Sequence, residues 1–159
     1  MSDRRAVVIT VSTRASAGVY ADRSGPIIAE DLTGLGFSVA APRVVPDGGS
    51  VGEALRAAIA EDAAVVITTG GTGLNPNDHT PEQTAAVLDR RLPHLAAAIA
   101  RYGVDHGVPT AVLSRGLAGT AGRTLIVNLP GSSGGARDGM AVLRPVLVHA
   151  VDQLRGGDH

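Results

Sequence analysis

AVVITTGGTG, residues 64–73, predicts both the fold class of the chain and the place of its functional site. The apolar and β-branched residues 64–69 are typical of a strand that is covered on both faces, as in a parallel sheet. Glycines follow at 70, 71 and 73, and glycine permits positive φ and a close approach of backbone N–H groups to a ligand. We therefore expect Thr69, Gly70, Gly71, Thr72 and Gly73, here called the glycine loop, to bind a ligand, with phosphate favoured. The alternative is an ordinary turn between a strand and a helix.

The rest of the chain alternates strand-length apolar runs with helix-length amphipathic segments. Further strands are predicted at residues 6–11, 37–45, 111–117 and 123–129, the last two forming a hairpin around 118–122. Helices are predicted at residues 26–34, 50–60, 92–102, 135–143 and 145–154, and capping boxes at Ser50 and Thr80 predict two helix starts. This order predicts an α/β fold: a doubly wound, mostly parallel sheet with helices on both faces and an antiparallel edge hairpin. The length of 159 residues predicts a single domain over 1–159.

The composition excludes several classes of site. The chain has no Cys, which excludes disulfides, thiolate metal sites and thiol nucleophiles, and it has no Lys, which excludes a P-loop lysine. A net charge of −1 and an aromatic content of 2% give no support for binding nucleic acid. No apolar stretch approaches the ~20 residues that span a bilayer, and the first residues are typical of a strand rather than a signal peptide. We expect no membrane association and a cytoplasmic location.

A second loop of small residues, 128–135, lies between a predicted strand and a predicted helix. A helix N-terminus favours anions through its dipole and its free N–H groups. Pro130, Gly131 and Ser132, here called the Pro130 loop, are therefore candidates for a second anion-binding segment. Two such loops in one small domain indicate a ligand with two phosphate-bearing portions.

Two carboxylates also follow predicted strands, and ligands of doubly wound sheets bind at the carboxyl ends of the strands. Asp78 lies at the end of the glycine loop, where a carboxylate beside phosphate is unfavourable unless a cation such as Mg²⁺ bridges them. Asp47 is a further candidate at the same edge. The alternative for each is a solvated turn residue, and for Asp47 the turn is favoured on local grounds. His79 is interpreted as a solvated loop residue.

Hydroxyl and guanidinium groups near this edge could add contacts to a phosphorylated ligand. Ser12 and Arg14 follow the first predicted strand, and Ser114 and Arg115 lie in the predicted hairpin. Taken singly, the preferred interpretation of each is a solvated surface group.

In order and spacing, these motifs resemble the molybdopterin-binding family, specifically the molybdopterin adenylyltransferases of the MogA/MoaB type. The resemblance runs over nearly the whole chain. The matching elements are VSTRAS (11–16), Tyr20, Asp22, SGP (24–26), VVPD (44–47), TTGGTG (68–73), Asp78, TPE (80–82), LSR (113–115), AG (118–119) and NLPGS (128–132). Three positions differ from the usual family pattern. Asn77 stands where Arg is usual, the helix around 97–98 lacks a Glu, and SGG (133–135) replaces Pro-Lys-Ala.

The resemblance implies an enzyme that transfers AMP from ATP, with Mg²⁺, to the terminal phosphate of molybdopterin, giving adenylylated molybdopterin and pyrophosphate. It implies that Asp47 and Asp78 are the catalytic or metal-organising residues and that both loops bind substrate. Further predicted substrate-binding residues within the matching elements are Ser12, Arg14, Ser24, Ser114 and Arg115. The family also implies a homotrimer, with a molybdotransferase as a candidate partner.

Two alternatives to this enzyme stay open. A non-catalytic molybdopterin-binding or carrier protein would keep the pocket without nucleotide chemistry, and the loss of cationic positions at 77 and 134 is compatible with it. The presence of both Asp47 and Asp78 favours the enzyme over the carrier. A molybdotransferase normally embeds such a domain in a much longer chain, so the length of 159 residues disfavours that activity.

Overall fold

The computed structural model describes residues 4–157, within which seven strands form one sheet. The strands are β1 (Arg5–Val11), β2 (Ser38–Val39), β3 (Arg43–Val45), β4 (Val65–Thr69), β5 (Arg90–Arg91), β6 (Ala118–Ala121) and β7 (Thr124–Leu129). The helices are α1 (Thr13–Ser16), α2 (Ser24–Gly34), α3 (Gly49–Ala60), α4 (Thr80–Ala85), α5 (Pro93–Asp105), a 3₁₀ helix (Pro109–Leu113), α6 (Ser133–Leu143) and α7 (Leu147–Leu154). Of these helices, none is long and apolar enough to cross a membrane.

The middle of the sheet is parallel and one edge is antiparallel. The strand order is β2-β1-β4-β7-β6-β5, and β3 also pairs with β1. The pairs that β1 makes and the pair β4–β7 are parallel, whereas β6 is antiparallel to both β7 and β5. Thr69 of β4 lies in register with Thr10 of β1 and Leu129 of β7, so these three strands end at one edge. The predicted fold class is confirmed.

Side chains of the central strands point alternately into two cores, one on each face of the sheet. On one face, Val8 and Ile67 belong to a buried cluster with side chains of α2, α5, α6 and α7. On the other face, Ile9 and Val66 pack in a second cluster with Leu55 of α3. Helices therefore cover both faces, which explains why β4 is apolar or β-branched at successive positions.

Two strand predictions are wrong in part. The strand predicted at 37–45 is two short strands, β2 and β3, separated at residues 40–42, because Pro42 has no N–H to donate to a ladder. Residues 111–117 do not form a strand, since Pro109 begins a 3₁₀ helix there. The hairpin is instead made by β6 and β7, and its turn contains Gly122 with φ +59°. The residues predicted as the turn are therefore mostly strand.

The predicted helices form, but neither capping box does. α3 follows Gly48, whose φ is +107°, and Ser50 lies inside the helix with no side-chain hydrogen bond at the N-cap. α4 begins at Thr80 after the N-cap residue His79, again without a side-chain cap. α5 continues past Gly103, the predicted stop, because this glycine is buried where the 3₁₀ helix packs against α5 rather than placed at a helix end.

Candidate active site

The glycine loop and the Pro130 loop lie against each other at the carboxyl edge of the sheet. The Gly70 N–H donates to the carbonyl of Leu129 at 2.9 Å, and the Thr69 hydroxyl donates to the carbonyl of Pro130 at 2.8 Å. A Cβ placed on Gly131 would lie only 3.2 Å from Cα of Gly70. The two loops predicted to bind anions therefore form one continuous backbone surface.

Glycine is required by the surroundings at two positions of the glycine loop. Gly70 has φ +104°, and a Cβ there would overlap the carbonyl oxygen of Val11. Gly71 has φ +70°, and a Cβ there would overlap the hydroxyl of Thr80 and lie 2.5 Å from Oδ2 of Asp47. Groups from β1, α4 and the segment after β3 thus converge on this loop, which only glycine can accommodate.

A cavity of about 530 Å³, here called the loop cavity, opens between the two loops and the segment that joins β1 to α2. Seven residues predicted to bind substrate line it: Ser12, Ser24, Thr69, Gly70, Gly71, Gly131 and Ser132. Tyr20, Asp22 and Arg23 also line it. The structure therefore brings most of the predicted phosphate-binding groups into one space.

Two serines in the loop cavity also cap helices. Ser12 accepts the N–H of Ala15 at 3.1 Å, at the start of α1, and Ser132 accepts the N–H of Gly135 at 2.9 Å, at the start of α6. Each hydroxyl accepts in these bonds and so keeps its proton to donate to a ligand. The N-terminus of α6, an 11-residue helix, thus meets the loop cavity and favours anions there.

Asp47 and Asp78 line a neighbouring cavity of about 260 Å³, here called the carboxylate cavity. Gly71 lines both this cavity and the loop cavity, so the two adjoin. Oδ1 of Asp47 accepts the N–H of Gly48 at 2.8 Å and the N–H of His79 at 2.9 Å. These bonds fix the carboxylate beside the glycine loop, with Oδ2 next to Gly71.

The donor set of the carboxylate cavity suits a hard cation that also binds phosphate. Within residues 4–157 there is no group of three or more His, Cys, Asp and Glu that could hold a metal ion. Mg²⁺, however, is commonly bound by one or two protein carboxylates together with substrate phosphates. Asp47 and Asp78 could provide the two carboxylates. Thr80 adds a buried hydroxyl without a hydrogen-bond partner, and like Oδ2 of Asp47 it lies against Gly71. The predicted N-cap role of Thr80 is wrong, and its hydroxyl faces the loop instead.

Arg115 lines neither the loop cavity nor the carboxylate cavity, and it holds the glycine loop by hydrogen bonds. Its Nε donates to the carbonyl of Gly73 and its Nη2 to the carbonyl of Asp78, both at 2.9 Å. Its Nη1 donates to the carboxylate of Glu82 at 2.6 Å, and this hydrogen bond holds the pKa of Glu82 below its usual range. With its guanidinium engaged by three protein acceptors, Arg115 positions the loop that carries Asp78.

Arg14 and Arg23 differ in what they can reach. Arg14 donates to the hydroxyl of Tyr20 at 2.7 Å and its guanidinium carbon lies 5.3 Å from the centre of that ring, so it is held outside the loop cavity. Arg23 lines the loop cavity, and the described structure gives its guanidinium no hydrogen bond or ion pair. Arg23 is not among the residues predicted to bind substrate, because it directly precedes α2 rather than following a strand.

A third cavity of about 170 Å³, here called the α5–α6 cavity, lies on the far side of the Pro130 loop. Ser114 and Pro130 line it, and Ser132 lines both it and the loop cavity. Thr72 and Gly73 line none of the three cavities; Thr72 is buried, and its carbonyl accepts the N–H of Arg115. Four predicted site residues therefore line none of these three cavities: Arg14, Thr72, Gly73 and Arg115. The other predicted site residues meet in three adjoining cavities.

Comparison with known proteins identifies relatives of the whole chain. A family model described as "Probable molybdopterin binding domain" matches residues 7–149. The molybdenum cofactor biosynthesis bifunctional protein of Chlorobaculum tepidum is 36% identical over 156 residues, 98% of this chain and 50% of that protein. The chain thus spans about half the length of this relative. The molybdopterin adenylyltransferase of Escherichia coli K12 is 32% identical over 162 residues, 95% of this chain and 81% of that protein.

A solved structure gives the same result for the fold. The molybdopterin biosynthesis Mog protein of Mycobacterium ulcerans has a TM-score of 0.93 to this chain and is 54% identical to it. The match covers 98% of this chain and 99% of that one. The resemblance inferred from the motifs is confirmed.

Proposed function

The chain belongs to the family of probable molybdopterin binding domains, and from this premise we propose that it transfers AMP from ATP to the terminal phosphate of molybdopterin. The products are adenylylated molybdopterin and pyrophosphate. The relative in Escherichia coli that is named molybdopterin adenylyltransferase supports this activity. The observation that carries the proposal is the meeting of two glycine-rich loops and two carboxylates at one edge of the sheet.

The chemistry needs no nucleophile from the protein. An oxygen of the molybdopterin phosphate attacks the α-phosphorus of ATP, a new P–O bond forms, and the bond to the bridging oxygen of pyrophosphate breaks. Both reactants are anions, so the protein must hold them in line and offset their repulsion. In the loop cavity the backbone N–H of Gly71, the hydroxyls of Ser12 and Ser132, and the guanidinium of Arg23 could meet these oxygens.

Asp47 and Asp78 are the proposed holders of Mg²⁺. When bound, the ion would neutralise charge on phosphate oxygens and help to align them. The hydrogen bonds from the N–H groups of Gly48 and His79 keep Asp47 in place before any ligand arrives. Arg115 keeps Asp78 in place by holding the carbonyl of that residue.

We further propose a location, an oligomeric state and a partner for the enzyme. We place the reaction in a single domain over 1–159, in the cytoplasm, where its substrate ATP is abundant. A homotrimer is proposed. Exposed apolar side chains on α5, on the 3₁₀ helix and between them support self-association: Val104, Val108, Val112 and Leu113. A molybdotransferase is the proposed partner, because the bifunctional relative has a further half that this chain does not match.

A non-catalytic carrier is the less favoured function. A carrier needs the loops, but it has no need of two carboxylates beside a phosphate site. Without a cation these carboxylates would repel the ligand. Their presence in the carboxylate cavity therefore favours the enzyme.

The Asp78→Asn variant tests the assignment of the carboxylates. We expect AMP transfer to fall by about 100-fold or more, as for the loss of other preorganised electrostatic groups, while molybdopterin binding persists. Asp105→Asn, which alters an exposed ion pair with Arg101, is the matched control and should leave both unchanged. Loss of molybdopterin binding in a folded Asp78→Asn protein would count against the metal-facing role.

A further inference from the structure

Thr80, the first residue of α4, carries a buried hydroxyl that has no hydrogen-bond partner within residues 4–157. The residue is 0% exposed, and its Oγ1 is unpaired. The backbone of Thr80 is nevertheless fixed, because its N–H donates to the carbonyl of Gly71 at 3.1 Å. A buried hydroxyl without a partner has lost the hydrogen bonds that water would give it, and few such groups occur in folded proteins. The unpaired hydroxyl therefore makes the unliganded fold less stable than it could be.

The other threonine of α4 shows the usual arrangement of a buried hydroxyl. Thr84 lies one turn after Thr80 and is also 0% exposed, but its Oγ1 accepts an N–H of Asn128 at 3.0 Å. Removal of the Thr84 hydroxyl would leave this buried N–H without its acceptor, whereas removal of the Thr80 hydroxyl would leave no described group unpaired. The same substitution at the two positions should therefore change the stability in opposite directions.

The Thr80 hydroxyl shares a small gap with the carboxylate of Asp47. A Cβ on Gly71 would overlap Oγ1 of Thr80 and lie 2.5 Å from Oδ2 of Asp47, so both oxygens border the space that this glycine leaves free. Among the described residues no hydrogen bond joins the two oxygens. A hydroxyl can donate and a carboxylate oxygen can accept, so the two groups are complementary.

The two oxygens of Asp47 are held differently. Oδ1 accepts the N–H of Gly48 at 2.8 Å and the N–H of His79 at 2.9 Å. Neither of these bonds reaches Oδ2, which lies beside the gap. Thr80 directly follows His79, so the start of α4 places a backbone donor on one oxygen of Asp47 and a hydroxyl donor near the other.

We propose that Thr80 is a positioning residue for Asp47, whose Oδ2 accepts the Thr80 hydroxyl when a divalent cation occupies the carboxylate cavity. This inference rests on the proposed function, which assigns Asp47 to the cation. Thr80 does not line the carboxylate cavity, so it acts through the carboxylate and not on the ligand. A carboxylate oxygen has two lone pairs, so Oδ2 can accept the hydroxyl and bind the cation at the same time.

The hydrogen bond strengthens cation binding because it is made only in the bound state. The unliganded protein carries the unpaired hydroxyl, and the cation-bound protein pairs it. A ligand gains affinity from any contact that the bound state has and the free state lacks. Carboxylates that bind metal ions are themselves fixed by hydrogen bonds, and loss of such a bond costs about 10- to 100-fold in metal affinity or activity.

Three variants and two measurements test the inference. Thr80→Val removes the hydroxyl, Thr80→Ser keeps it, and Thr84→Val is the matched control on the same helix. Tm is measured without ligands. The affinity for Mn²⁺, which suits the same oxygen ligands as Mg²⁺, is measured by electron paramagnetic resonance. These titrations contain α,β-methylene-ATP, from which AMP cannot be transferred because carbon replaces the bridging oxygen.

The expected results differ in sign between the two valine variants. Thr80→Val should raise Tm by roughly 2–8 °C, because a buried unpaired hydroxyl is removed, and weaken Mn²⁺ binding by about 10- to 100-fold. Thr80→Ser should keep the wild-type affinity for Mn²⁺. Thr84→Val should lower Tm and keep this affinity, because it unpairs Asn128 and lies away from Asp47.

The contrary outcomes separate this inference from the proposed function. A lower Tm for Thr80→Val would show that the hydroxyl has a partner in the free fold, and it would overturn the inference. Unchanged Mn²⁺ affinity in Thr80→Val would also overturn it, as would an equal loss of affinity in Thr80→Ser or no Mn²⁺ binding by the wild type. AMP transfer is measured separately on the wild-type protein. Its absence would refute the proposed function and leave a measured effect of Thr80 on Mn²⁺ binding standing.

Discussion

Replacing Gly71 by Ala should damage both the stability of the fold and the carboxylate cavity. The φ of Gly71 is +70°, and left-handed backbone costs a non-glycine residue about 1–2 kcal/mol. The new methyl group would also overlap the Thr80 hydroxyl and lie 2.5 Å from Oδ2 of Asp47. Overpacking of this kind costs about 1–3 kcal/mol. Together we expect the free energy of unfolding to fall by about 2–5 kcal/mol, which lowers Tm by roughly 4–20 °C for a chain of this size.

Gly36→Ala is the matched control, since it separates backbone strain from overlap. Gly36 also has positive φ, +95°, but a Cβ there would meet nothing within 4 Å. It should lower Tm by roughly 2–8 °C and leave AMP transfer intact. Differential scanning calorimetry and the transfer assay on both variants measure the difference. If Gly71→Ala has the same Tm as Gly36→Ala and keeps its AMP transfer activity, Asp47 and Thr80 do not fill the space beside Gly71. That result would refute the reasoning.

Two further variants test the charges. Arg23→Gln should raise the KM for the phosphorylated substrates by about 10-fold or more, because a charge-assisted hydrogen bond is lost. Arg14→Gln, which alters a contact with Tyr20, should raise this KM less. Equal increases in KM for the two variants in steady-state kinetics would contradict the assignment of Arg23. Hydrogen bonds from Arg123 lower the pKa of Asp62, and Arg155 adds to this, so Asp62 stabilises the fold above its unfolded pKa near 4 and loses that contribution as pH falls towards the folded value. Asn tolerates the φ of +58° at this position, so Asp62→Asn should have a lower Tm than the wild type at about pH 7. The difference in Tm between the two proteins should shrink as the pH falls from about 5 to 2. A difference that stays constant over this range would contradict the linkage.

The parallel core of the sheet could be predicted from the sequence because short runs of apolar and β-branched residues are typical of strands buried on both faces. The strands at 6–11 and 64–69 agree with β1 and β4 to within one residue. Both are covered on two faces, so every position in 6–11 and 64–69 is apolar or β-branched. The edge strand β5 consists of Arg90 and Arg91, and a two-residue exposed strand carries no such signal.

Glycine produced several of the errors, because it has two physical uses that the sequence alone does not separate. Gly119 was predicted to lie in a turn, but a Cβ there would overlap the carbonyl oxygen of Arg90 and lie 2.9 Å from a methyl of Leu88. It allows close approach within a sheet instead. Gly103 likewise allows packing rather than ending a helix, whereas Gly48 begins α3 through its positive φ, without the predicted capping box at Ser50.

The site residues that follow the ends of strands could be predicted from the sequence. A residue that only tertiary packing brings to the site could not. Asp47 and Asp78 follow β3 and β4, and the structure brings them into one cavity. Arg23 directly precedes α2, and only the packing of α2 brings it to the loop cavity. Arg115, which the resemblance predicts to bind substrate, also makes three hydrogen bonds to protein acceptors. These bonds depend on a fold of the loop that the sequence does not specify.

The most direct test of the central claim is AMP transfer by the purified wild-type chain given molybdopterin, ATP and Mg²⁺. Release of pyrophosphate and formation of adenylylated molybdopterin are followed together, with and without the metal ion. The account predicts both products, and only when Mg²⁺ is present. Tight binding of molybdopterin with no product at any metal concentration would contradict it, and would mean that the two carboxylates and the two loops serve to carry the pterin rather than to activate it.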